Sequence, residues 1–83
     1  MRIWLINYAK AYCNRGSVYS RIGNYNEAIW DLTRAISLDP SFAIAYYNRG
    51  IAHKKKGEKE KAIIDFKKSC ELGDNDGCRQ LAN

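Results

Sequence analysis

Four side chains could support catalysis or metal binding in this chain: Cys13, His53, Cys70 and Cys78. Nucleophilic catalysis needs a nucleophile within hydrogen-bond reach of a base, and a third group to orient that base. His53 is the only histidine, and no nucleophile stands at a suggestive spacing from it. Three cysteines and one histidine equal the ligand count of a structural zinc site, but no C-x-x-C occurs. Cys13 and His53 also belong on different helix faces, so a zinc site does not follow. Glycine-rich phosphate loops, dinucleotide fingerprints and calcium loops are missing from the sequence. The chain therefore reads as a non-enzyme, with no cofactor and no metal.

Composition narrows the classes further. Eighty-three residues with 46% hydrophobic content and 12% aromatic content make one small globular domain with a thin core. The net charge is +5, and seven lysines fall between Lys54 and Lys68. Such a surface attracts acidic partners, although the mixed run KKKGEKEK reads first as a solvated helix end and turn. At the start, the apolar run covers only Ile3 to Ile6. A secretory core needs about 7–15 apolar residues and a membrane span about 20. A cytoplasmic protein with reduced cysteines is the expectation, with no membrane partner.

The elements that would position these residues come from an internal copy. Shifted by 34 residues, Ala9, Ala11, Tyr12, Asn14, Arg15 and Gly16 meet Ala43, Ala45, Tyr46, Asn48, Arg49 and Gly50. Gly23 meets Gly57, Leu38 meets Leu72, and Ala28, Ile29 and Asp31 meet Ala62, Ile63 and Asp65. Each unit reads as two helices, from Tyr12, Gly16 and Tyr19 on one face and Ala28, Leu32 and Ala35 on another. Gly23 and Gly57 stand where the first helices must stop, because glycine takes the left-handed cap conformation cheaply. Asn24, with Glu27 three residues on, reads as a helix cap, as does Ser41 after Pro40. Gly16 with Ala28, and Gly50 with Ala62, mark the closest helix approach, flanked by Tyr12 and Leu32 or by Tyr46 and Phe66. The pattern predicts an all-α chain with helices near residues 3–22, 25–38, 42–56, 59–72 and 75–82.

A 34-residue helix–turn–helix period with Tyr12, Gly16, Tyr19, Ala28, Leu32, Ala35 and Pro40 at fixed offsets resembles the tetratricopeptide repeat. The second copy departs at His53, Ser69 and Asp74. The resemblance implies a superhelix of stacked antiparallel hairpins in a single domain over residues 1–83. Repeat one covers about 9–42 and repeat two about 43–76; a capping helix at about 75–82 starts at Asp74 or Asn75, with Cys78 and Leu81 facing inward. Ile6 occupies the position matching Pro40, so residues 1–8 are expected to extend the first helix. Cys70 and Cys78, with seven residues between them, resemble the paired cysteines of secreted Sel1-like repeat proteins. Without a leader they read as two small apolar packers across a turn.

The same resemblance implies a protein-interaction module, with the first helices lining a concave face that receives an extended peptide or a partner helix. Its candidate residues are Lys10, Cys13, Asn14, Ser17, Arg21, Tyr47, Asn48, Ile51, Lys54 and Lys55. Amides there can bond a peptide backbone, Tyr47 and Ile51 give apolar contact, and the cations favour acidic groups. Chaperone-binding members clamp a carboxylate with Lys and Asn on the first repeat, Asn on the second, and Lys and Arg on the third. Of these only Asn48 is present; Cys13, Ser17, Cys78 and Ala82 hold the other positions, so that clamp is not expected. A self-assembling homodimer joined through Ile3, Trp4, Leu5 and Ile6 is the second reading. An RNA-binding adaptor is third: basic and aromatic residues alternate in KAYCNR, but the repeat core claims most aromatics, so nucleic acid is not expected.

Overall fold

A computed structural model describes residues 3–82. Met1 and Arg2 of the expected extension, and the terminal Asn83, lie outside the described residues. Five helices follow in order: α1 (Ile3–Arg21), α2 (Tyr25–Leu38), α3 (Ala43–Lys55), α4 (Lys59–Glu71) and α5 (Asn75–Ala82). α1 packs on α2 and α3 on α4 as hairpins, α2 and α3 join the two hairpins, and α5 packs on α4. The Cα positions span 37 × 27 × 15 Å, and the short axis is the depth of two packed helix layers. Every helix therefore keeps a face near solvent.

Glycine stops the helices by one repeated device. Gly23 has φ 91°, donates its amide to Ser20 O at 3.2 Å, and Asn24 N donates to Tyr19 O at 2.8 Å. These two bonds are the Schellman closure that satisfies the last carbonyls of a helix. Gly57 with Glu58 repeats it after α3, and Gly73 with Asp74 repeats it after α4. Two expected caps do not form. Asn24 holds the cap position of α2 without a side-chain bond, and its backbone amide closes the preceding turn. Ser41 turns back instead: its hydroxyl donates to Asp39 Oδ1 at 3.0 Å, and Phe42 takes the cap position of α3. Asp74 does start α5, accepting the Asp76 amide at 3.2 Å.

The core runs through both hairpins as Ala9, Cys13, Ala28, Leu32, Ala35, Ala45 and Ala52, with Tyr12, Tyr19, Ile29, Ile36 and Phe42 packed around it. Small residues permit close helix approach. A Cβ placed on Gly16 would lie 2.9 Å from Leu32 Cγ and 3.2 Å from the Ala28 carbonyl. On Gly50 it would lie 2.7 Å from Phe66 Cε1, so in the second repeat the ring, not Ala62, sets the limit.

One feature was not expected. Cys70 and Cys78, read from the sequence as reduced packers, form a disulfide with a Cα–Cα distance of 4.7 Å. Gly77 makes this possible, since a Cβ there would come 1.8 Å from Ser69 Oγ and 3.0 Å from the Phe66 carbonyl. Glycine lets the α5 backbone lie directly on α4, which sets Cys78 beside Cys70. Leu81, expected to face inward, is 39% exposed at the end of α5.

Candidate functional site

α1 and α3 lie side by side because α2 spaces them by one hairpin. Between them runs a groove of about 370 Å³ lined by Ser17, Ser20, Arg21, Tyr47, Asn48, Ile51 and Lys55. Its floor is built from below. Phe66 is buried and stacks obliquely under Tyr47, with ring centroids 5.8 Å apart. Asn48 donates from Nδ2 to Cys13 Sγ at 3.6 Å, tying α3 to α1. Burial pushes the Cys13 thiol up, and the Asn48 bond only partly opposes this. A buried thiol held protonated is a packing group, not a nucleophile.

Six of the ten expected residues surround this groove: Ser17, Arg21, Tyr47, Asn48, Ile51 and Lys55. The other four do not line it. Cys13 is buried beneath Asn48 and cannot face a ligand, while Lys10 and Asn14 are exposed on α1 outside the groove. Lys54 points toward α5, where its Nζ donates to Gln80 Oε1 at 3.1 Å. Ser20 lines the groove and was missed. Its signal was present: Ser17, Ser20 and Arg21 stand at i, i+3 and i+4, one face of a helix.

The chemistry of the groove is that of recognition. Arg21 and Lys55 supply two cations, and no carboxylate is among its lining residues. Hydroxyl and amide groups from Ser17, Ser20 and Asn48 sit beside the apolar surfaces of Tyr47 and Ile51. Such a strip suits an extended chain that carries backbone donors and acceptors along with negative charge. His53 lies between two carboxylates. Its Nδ1 lies 2.7 Å from Glu58 Oε1 and its Nε2 3.8 Å from Asp65 Oδ2, and the ring is buried. That bond holds the Glu58 carboxyl below the ordinary carboxylate range.

The expected self-association run divides. Ile3 and Trp4 are 64% and 56% exposed, whereas Leu5 and Ile6 are half-buried. Among the described residues, no helix is long and apolar enough to cross a membrane.

The comparisons with known proteins agree with this architecture. Residues 21–57 match the family model described as TPR repeat, and residues 43–76 match that of the tetratricopeptide repeat. No curated protein matches the chain. The two matches together run over residues 21–76, well over half of the sequence, and take in α2, α3 and α4. The chain belongs to the tetratricopeptide repeat family, whose repeats mediate contacts between proteins.

Proposed function

We propose that this protein is a non-catalytic interaction module whose α1–α3 groove holds an extended peptide bearing acidic groups. The observation that carries the reading is the groove itself: two cations, three uncharged polar groups and two apolar surfaces in one strip, with no carboxylate among them. Tyr47 and Asn48 are the central contacts, since each is held in place by a buried neighbour, Phe66 or Cys13. Pre-positioned side chains lose less entropy on binding.

The exposure of Ile3 and Trp4 is the observation that favours self-association through α1. The half-buried Leu5 and Ile6 weigh against a uniform apolar stripe there. The Cys70–Cys78 bond supports an oxidising compartment over the expected cytoplasmic location, because cytosolic thiol systems keep such pairs reduced.

Affinity capture followed by mass spectrometry tests the reading, with wild type compared against the Tyr47→Ala, Asn48→Ala double variant. Acidic segments retained by wild type and lost with the variant are expected, with affinity that falls only modestly as salt rises. Equal capture by both forms would refute the groove. A steep salt response with nucleic acid in the captured fraction would move the function to phosphate binding.

A further inference from the structure

Among the described residues, the second hairpin has a neighbour that the first lacks. Positions 34 residues apart are equivalent in the two repeats, yet their burial differs along one line of the first helix. Ala45 and Ala52 are fully buried, while Ala11 is exposed and Val18 is 47% exposed. Arg49 is 21% exposed and Arg15 58%. On that side the second repeat has α2 of the preceding hairpin, and no helix among the described residues covers the first repeat.

The polar groups show the same vacancy. Arg49 spends Nε and Nη2 on Asp65 and donates Nη1 to Thr33 Oγ1 of α2 at 3.2 Å. Arg15 spends Nε and Nη2 on Asp31, and its Nη1 has no partner among the described residues. Tyr46 donates its hydroxyl to the Pro40 carbonyl in the turn after α2, at 3.0 Å. The matching Tyr12 hydroxyl has no such acceptor among the described residues, and Tyr8, Ala11, Tyr12 and Arg15 line an open depression of about 270 Å³.

From this we propose that the outer face of α1 receives an amphipathic helix supplied by another protein. The site continues the α2–α3 junction by one repeat, so α2 is the template for its occupant. That helix carries branched apolar residues where α2 has Ile29 and Ile36. Between them, at the Thr33 position, stands a hydroxyl or carboxylate that accepts from Arg15. The helix ends in a turn whose free carbonyl accepts from Tyr12. Charge argues against a second copy of this chain. Its α2 is already covered by its own α3, and the repeat-equivalent α4 puts Lys67 where Thr33 stands, cation against Arg15. α5 also lies on α4, bonded to it through Cys70 and Cys78. The site is separate from the α1–α3 groove and does not rest on the function proposed for it.

The test uses the full chain and, as probe, a labelled synthetic peptide of residues 25–42, which is α2 with its turn. Fluorescence anisotropy should show saturable binding, weakened about tenfold or more by Ala11→Glu or by Val18→Glu in the protein. Thr33→Ala in the peptide should weaken it severalfold, a readout independent of the protein's folding. Tyr47→Ala in the protein should leave it unchanged, which separates this site from the groove. Circular dichroism should confirm that the two exposed-site variants keep their helix content. Absence of saturable binding would overturn the proposal. So would binding that survives Ala11→Glu, since it would mean exchange with the chain's own α2. A dimer seen by light scattering without peptide, and dissolved by Ala11→Glu, would overturn it too, by making a second copy the occupant.

Discussion

Arg15 and Arg49 make the same two-pronged bond to an aspartate sixteen residues on, but they live in different surroundings. Both aspartates, Asp31 and Asp65, are almost wholly buried. Arg49 is enclosed by α2 and bonded to Thr33, and lies over the ring of Tyr46; Arg15 lies over Tyr12 and Tyr19 with much of its guanidinium in water. The bond to Asp65 raises the pKa of Arg49, as the bond to Asp31 does for Arg15. Nearly identical letters thus give different structures when the neighbour differs. In a stacked repeat, a residue's burial is a property of the next hairpin as much as of its own.

The largest effect expected within this comparison is at the second helix crossing. Gly50→Leu forces a side chain into the Phe66 ring, which is 3% exposed and has nowhere to go. Overpacking of this kind costs about 1–3 kcal/mol and sometimes more. Lys59→Ala on the solvated start of α4 should stay within about 0.5 kcal/mol. Urea denaturation of the two variants checks this, and equal midpoints would show that the crossing tolerates a Cβ.

Next in size is the asymmetry between the ion pairs. Asp65→Ala leaves Arg49 enclosed without its carboxylate, at a cost of about 2–3 kcal/mol. Asp31→Ala leaves Arg15 free to turn into water, and should cost less than Asp65→Ala. The difference in denaturation midpoint between these two variants sharpens the comparison. Equal losses would mean that the missing neighbour does not govern the strength of the pair.

Much of this architecture was readable from the chain. The duplicated Tyr–Gly–Ala pattern set the hairpins, and Gly23 and Gly57 set their stops, because only a left-handed residue closes those turns. The ion pairs left a signal that was passed over: Arg15 and Asp31 recur together as Arg49 and Asp65. The side-chain caps expected at Asn24 and Ser41 do not form, since a side chain's partner depends on local geometry. Ser41 reaches Asp39 two residues back, which spacing alone does not distinguish from reaching forward. The Cys70–Cys78 bond depends on how closely α5 lies on α4, and that is decided by Gly77, a single missing Cβ. In the groove, helical spacing brought Ser17, Arg21, Tyr47, Asn48, Ile51 and Lys55 together, but it could not show that Cys13 lies beneath the floor.

The two open faces of α1 divide the roles in this account, with the groove toward α3 holding an extended peptide and the outer face a helix. Amide NMR titration with an acidic peptide taken from the Tyr47-dependent captured fraction tests the groove most directly. The account predicts the largest shifts at Ser17, Arg21, Tyr47, Asn48, Ile51 and Lys55, with Ala11 and Val18 unmoved. Shifts centred on Ala11 and Val18, or none at Tyr47 and Asn48, would contradict it.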